Sequence, residues 1–245
     1  MKKLTITLIV LNITFLTNFS FAQNYDWTLS HQANSSYINS KGNQLFIADS
    51  NFFYLLGEFQ DTSDLDPSLG TSNFIAADQE DIFLQKYQSN GTLIWTRVFD
   101  GIGRENGSGF HITDDGSIYI GGSFFGIFNA DPIGGSLIFT FTPTPPYDNI
   151  TSGQCPFIIC LDTAGTIQWG FPFGSGDSFG GVRALDTDSQ GNLYSVLTVH
   201  YRNGGSINFD KDPTTGIDAI THKGQTGIIQ KFTSTGDYVW GCDIS

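Results

Sequence analysis

Gly91-Thr92-Leu93-Ile94-Trp95 reads as a turn glycine opening a strand. The chain says it twice more, as Gly165-Thr166-Ile167-Gln168-Trp169 and Gly236-Asp237-Tyr238-Val239-Trp240. With Trp27 these phrases hold all four tryptophans of the 245 residues, at Trp27, Trp95, Trp169 and Trp240, so the intervals are 68, 74 and 71. A bulky residue returning at near-constant interval marks one structural unit copied along the chain.

Working outward from the middle phrase, Ser108 to Thr113 reads as a first strand and Asp114-Asp115-Gly116 as a tight turn. Ser117 to Phe124 is a second strand, followed by a loop with Asn129-Ala130-Asp131-Pro132. Pro156 to Leu161 is a third, and Thr163-Ala164-Gly165 turns into a fourth that runs through Trp169 to Phe171. The first copy has Phe53 to Phe59, Asp64-Leu65-Asp66-Pro67, Asp81 to Tyr87 and Gly91 to Phe99. The third has Asp188 to Tyr194, Asp210-Lys211-Asp212-Pro213, Gly227 to Phe232 and Gly236 to Trp240. Tyr54, Tyr119 and Tyr194 share one position. From each to its proline the distance is 13, 13 and 19 residues (Pro67, Pro132, Pro213), the excess falling at Tyr201-Arg202-Asn203-Gly204-Gly205.

Phe, Ile, Gly, Thr and Ser dominate, which is strand-and-turn composition, and helix periodicity is absent beyond the first residues. The expectation is an all-β fold in approximate units 30–100, 101–174 and 175–245. Four antiparallel strands repeated in tandem is the layout of a β-propeller blade. Three blades are expected, plus one N-terminal strand, Tyr25 to Leu29, in an incomplete ring or open arc. Trp27, Trp95, Trp169, Trp240 and the three tyrosines are expected to fill the seams, behind Gly91, Gly165 and Gly236 at the turns. Propellers close with four to eight blades. Three arrangements answer that count: further blades in a longer chain, which the closure requirement favours; self-association of two chains into one ring; or an open arc with bare strand edges.

The combination of Asp188 to Tyr194, Asp66-Pro67, Asp81 to Tyr87 and Asn90 to Trp95 resembles the seven-bladed β-propeller (SBBP) repeat family. The resemblance spans most of residues 23–245. It implies an exported or cell-surface protein of the kind common in Bacteroidetes-type bacteria, with no general catalytic activity. The chain departs from the pattern at Asn51-Phe52-Phe53-Tyr54, at Cys155-Pro156 and at Val196-Leu197-Thr198. Leu161 to Trp169 is also similar to the docking motif of quinoprotein-like propellers, which the Asp-Pro loops fit less well.

Met1-Lys2-Lys3, an apolar run from Leu4 to Leu16 and the small-x-small exit Ser20-Phe21-Ala22 read as a signal peptide over residues 1–22. Location is therefore expected outside the cytoplasm: extracellular, cell-surface or periplasmic. The formal net charge is −13, and residues 1–22 hold two lysines and no acid, so the exported part is two charges more acidic. That balance opposes nucleic-acid partners, and no later stretch suits a membrane span. Cys155, Cys160 and Cys242 are too few for a disulfide framework. Small core residues are the expectation, with a Cys160–Cys242 pair left open.

Asp64, Asp66, Asp131, Asp210 and Asp212 recur in the Asp-Pro loops. Alternating oxygens suit Ca²⁺, while Asx turns closed by proline explain the same residues with no cofactor. His31, His111, His200 and His222 share no repeat position and read as isolated. Gly176-Asp177-Ser178-Phe179-Gly180 fits Gly-x-Ser-x-Gly, but a nucleophile elbow needs a helix after it and a strand follows here. Asp114-Asp115 reads as a turn pair, and Glu80-Asp81 as a solvated strand start. Tyr201 and Arg202, in the insertion, are the candidate ligand contacts. The expected function is an exported, non-enzymatic scaffold or binding module for protein or glycan. The alternative is a propeller enzyme, carbohydrate-active or quinoprotein-like.

Overall fold

The computed structural model describes residues 32–33, 40–66, 72–142, 153–174, 178–201, 206–209, 219–221 and 224–244. Residues 1–22, the Trp27 strand, Arg202, His31, His222 and the loop 210–213 lie outside them, as do the side chains of Ser178 and Tyr201. Every regular element among the described residues is a β-strand, and none of the sheets closes on itself. No helix there is long and apolar enough to cross a membrane.

After the short β1 (Gln32–Ala33), the first sheet runs β2 (Ser40–Ile47), β3 (Phe52–Asp64), β4 (Asn73–Gln88) and β5 (Leu93–Phe99) as an antiparallel meander. Then β6 (Gly101–Ile102) leads to the second meander: β7 (Glu105–Ile112), β8 (Ile118–Phe124), β11 (Cys155–Leu161) and β12 (Ile167–Pro172). Its middle connection carries a separate hairpin, β9 (Gly126–Asn129) and β10 (Ile138–Phe141), which β6 joins. The third meander is β13 (Ser178–Thr187), β14 (Leu193–Tyr201), β17 (Gly224–Phe232) and β18 (Tyr238–Asp243), with β15 (Ser206–Asn208) pairing β16 (Ala219–Thr221) in its middle connection. The Asn129-to-Pro132 segment, expected as plain loop, is thus the end of a hairpin strand and its turn.

The repeat extends to its irregularities. Each first strand carries a β-bulge at one position, between Gly42 and Gln44, Gly107 and Gly109, and Val182 and Ala184. Each closing hairpin carries another, at Lys86/Tyr87, Cys160/Leu161 and Lys231/Phe232. The second set follows from the turn glycines. Gly91, Gly165 and Gly236 sit at φ of 86°, 76° and 81°, and a left-handed residue after a tight turn builds this bulge.

The meanders stack face to face. Tyr54, Leu56, Ile82, Leu84 and Phe99 of the first pack on Phe110, Ile118, Ile120, Phe157 and Ile159 of the second. Tyr119, Ile158, Cys160, Phe171 and Phe173 of the second pack on Val182, Leu185, Leu193, Leu197, Ile228 and Phe232 of the third. The middle sheet is covered on both sides, so β8 and β11 are buried along their whole length. That explains their continuous apolar runs.

The same contacts recur at both seams. Tyr54 meets Trp95 with ring centroids 5.9 Å apart, Tyr119 meets Trp169 at 5.9 Å, and Tyr194 meets Trp240 at 6.1 Å. Trp95 lies against Gly165, and Trp169 against Gly236, the turn glycines of the following units. The bulge residue Asn43 donates to the Gly107 carbonyl at 3.0 Å, and its counterpart Ser108 donates to the Val182 carbonyl.

Candidate functional site

The seam between the second and third meanders opens at its turn end into a cleft of about 890 Å³. Its walls are the β7–β8 turn (Thr113 to Ser117), the β13–β14 turn (Asp188 to Gly191), the β17–β18 turn (Ser234, Thr235) and Gln168-Trp169 of β12. The local sequence forces these turns into shape. Asp115 Oδ1 accepts from the Ser117 N–H at 3.1 Å, and Asp188 Oδ1 accepts from the N–H groups of Gln190 and Asn192 at 3.0 and 2.9 Å. Such Asx turns hold a carboxylate at a fixed point of the rim.

At the back of the cleft lie Phe46 and His111, which share with Asp186 one repeat position, eight residues before Tyr54, Tyr119 and Tyr194 and paired with them in register. Phe46 and His111 meet edge to face at 5.9 Å, and His111 Nδ1 lies 3.5 Å from Asp186 Oδ1. His111 Nε2 shares a 2.9 Å hydrogen bond with the Thr187 hydroxyl. The position changes chemistry from unit to unit, apolar, then basic, then acidic. His111 is therefore held between elements of two meanders, not isolated as the sequence suggested.

Two of the cleft carboxylates, Asp115 and Asp188, are fixed anions. The Asn192 side-chain amide, with its N–H and the Lys231 ammonium at 3.1 Å, holds Asp188 far below the usual carboxylate range. The Thr113 hydroxyl and the Ser117 N–H hold Asp115 down. Burial pushes the Cys160 thiol on the cleft floor up to about 12, which silences it as a nucleophile. Trp169 stacks on Phe171 at 5.8 Å and donates its Nε1–H to the Ser234 carbonyl at 3.0 Å, so the ring is locked in place. Fixed acceptors, side-chain amides, hydroxyls and a rigid indole together suit a polyhydroxyl or cationic ligand.

Among the described sequence candidates, Asp64, Asp66 and Asp131 lie apart from this cleft. Asp64 Oδ1 accepts from the N–H groups of Asp66 and Ser72 at 3.1 and 2.9 Å. Asn129, its counterpart, accepts from the Asp131 N–H at 3.2 Å. Asp131 takes the N–H groups of Ile133, Gly134 and Ser136 and the Ser136 hydroxyl, which lowers it to about 2, the Gly134 contact being strongest. These oxygens are engaged by their own loops. Among the described residues no group of three or more His, Cys, Asp or Glu is arranged to hold a metal. Ser178 opens β13, so a strand follows it. All three cysteines are free. Cys155 and Cys160 are core residues, whereas Cys242 is exposed, against expectation, and does not pair with Cys160.

The Glu80-Asp81 expectation is corrected more sharply. Glu80 pairs with Arg104 at 3.1 Å, but Asp81 is fully buried beside an equally buried Glu105 of β7. Asp81 Oδ2 accepts from the Ala77 N–H at 3.0 Å. Asp81 Oδ1 and both Glu105 oxygens meet no N–H or O–H donor among the described residues, and the two carboxyl groups face each other. Burial raises Asp81 to about 6 and Glu105 to about 10, with the negative charge of Asp81, Asp100 and Asp78 adding to the latter. At neutral pH the pair therefore holds one proton, which supplies the missing hydrogen bond.

No protein-family model and no curated protein matches the chain.

Proposed function

We propose that this chain is an exported β-propeller repeat protein, its three meanders standing as blades of an incomplete ring or open arc, and that it works as a scaffold or binding module for glycan or protein. The SBBP-like repeat phrases support the family reading, and the signal-peptide pattern at residues 1–22 supports export. The observation that carries the binding role is the cleft between the second and third meanders. Asp115 and Asp188 are pinned as anions by their own turns, its thiol is silenced and its indole is locked. Groups held so firmly recognise a ligand better than they shuttle protons. The reading asks for no cofactor.

A glycan-array screen of the intact chain, followed by calorimetry on the best hit, tests it. Binding weakened at least roughly tenfold by Asp188→Ala or Gln168→Ala supports the cleft, a loss of about 1.4 kcal/mol. Released product would favour a carbohydrate-active enzyme instead. Binding unchanged in both variants would remove the cleft from the reading.

A further inference from the structure

Building on the cleft as a binding site, we infer that it takes a lysine side chain of a partner polypeptide, seating the ammonium group where the first seam seats one of this chain's own. Each closing hairpin has one residue paired in register with both the tyrosine and the tryptophan of its unit: Lys86, Cys160 and Lys231.

In the first unit the Lys86 ammonium lies 4.7 Å from the Phe52 ring centroid and 5.3 Å from that of Tyr54. It donates across the seam to the Thr163 carbonyl at 3.5 Å. Arg97, two residues after Trp95, lies 4.9 Å over the Trp95 ring and donates to the Ala164 carbonyl at 2.6 Å. Two cations of the chain thus fill the turn end of the first seam, held by aromatic rings and turn carbonyls. In the third unit Lys231 lies 4.9 Å from the Tyr194 ring centroid and 3.1 Å from Asp188. The second unit has neither cation. Cys160 stands at the lysine position and the core residue Phe171 at the arginine position, and there the seam opens into the cleft.

The surroundings still suit an ammonium group. Tyr119 and Trp169 both line the cleft, their ring centroids 5.9 Å apart. No lysine or arginine lines it. Lys231 answers Asp188, whereas Asp114 and Asp115 have no lysine or arginine partner among the described residues. Burial raises the Tyr119 hydroxyl and the Cys160 thiol, and the negative charge of Asp115 adds to each, so that charge bears on the cleft floor. A neutral sugar would leave it unanswered, while the formal net charge of −13 draws a basic partner in. The volume of about 890 Å³ far exceeds one side chain, so the residues flanking a lysine fit as well.

Calorimetric titration of the intact chain with tetralysine at about 0.15 M salt tests this. Binding is expected, and acetylating every amine of the peptide should remove it. Spermidine, a free polyamine, should bind at least roughly tenfold more weakly than tetralysine. Asp114→Asn with Asp115→Asn should weaken tetralysine at least roughly tenfold, since asparagine at 115 keeps the acceptor for the Ser117 N–H but not the charge. Asp49→Asn with Asp61→Asn makes the same charge change outside the cleft and should alter affinity less than about twofold. Equal losses in the two double variants would reveal diffuse attraction to an acidic surface and overturn the inference. So would an acetylated peptide that binds as well, or spermidine that binds as tightly. A neutral glycan lost on Gln168→Ala or Asp188→Ala, with no tetralysine binding, would also overturn it yet keep the cleft as a binding site. If neither probe binds, both readings fall.

Discussion

Replacing Glu105 with Gln should make the protein's stability nearly independent of pH above neutrality. Asp81 and Glu105 are both fully buried, and burial lifts them to about 6 and about 10 in the folded chain. Unfolded, they titrate near their ordinary values of 3.8 and 4.5. Both folded values are raised, so folding takes up protons. The stability is fully present below pH 4 and is lost as pH rises through the folded values. Between about pH 4.5 and 6 two protons are at stake, and above that one, held by the pair. One proton corresponds to about 1.4 kcal/mol per pH unit. From about pH 7 to 8.5 the parent should therefore lose about 2 kcal/mol, a large part of a typical total of about 5–15 kcal/mol. In Glu105→Gln the side-chain amide donates to Asp81 Oδ1 with no proton to lose. Urea unfolding followed by tryptophan fluorescence at the two pH values measures both slopes. A parent whose midpoint does not fall with pH would refute the shared proton, and so would a Gln variant that falls as steeply.

Three smaller outcomes can be checked by the same unfolding assay or by thiol chemistry. Gly191→Ala and Gly236→Ala both put an alanine at positive φ, 79° and 81°, at a cost of about 1–2 kcal/mol each. A Cβ at Gly191 meets nothing nearer than 3.9 Å, whereas one at Gly236 falls 2.8 Å from the Trp169 ring, so Gly236→Ala should cost about 1–3 kcal/mol more; equal costs would deny the seam contact. Asp131→Ala should cost about 2 kcal/mol near neutrality by stranding its four donors, and the parent should lose that increment as pH falls below 4 toward about 2. A thiol reagent should modify Cys242 quickly and reach Cys155 and Cys160 only on unfolding, because both are buried and burial raises both thiols. Rapid reaction of all three in the folded chain would contradict the packing of β11.

What could be read from the sequence was local. A glycine at positive φ, a tight turn and a tryptophan four residues on are fixed within one hairpin, so the Gly-x-x-x-Trp phrase gave the closing strand and its place in each unit. The β9–β10 hairpin was missed because Ile127, Phe128, Phe139 and their neighbours form two short runs between turn residues, which reads as loop. Glu105 was missed for a different reason. It lies in the Gly-rich stretch from Gly101 to Gly109, where an acid looks solvated, and its partner Asp81 is on another sheet. Nothing nearby in sequence announces a proton shared across that distance.

Stacked repeats also separate the residues that hold the fold from those free to recognise something. Where the three meanders agree, at the Tyr–Trp pairs, the turn glycines and the bulges, each side chain meets the same partner and changing it breaks a seam. Where they disagree, packing has not dictated the choice. Phe46, His111 and Asp186 occupy one position, and Lys86, Cys160 and Lys231 another. Lys86 and Lys231 lie over Tyr54 and Tyr194, at 5.3 and 4.9 Å from the ring centroids, while Cys160, paired with Tyr119 in register, lines the cleft. A lysine at position 160 would reach over Tyr119 in the same way and fill the space that the short thiol leaves. The cleft thus exists where the repeat is broken by a small residue, next to the position where it is broken by a histidine. Cys160→Lys should accordingly fill the cleft and weaken ligand binding there, at a cost in stability because Cys160 is buried in the seam core, and unchanged affinity in a folded variant would place the ligand elsewhere.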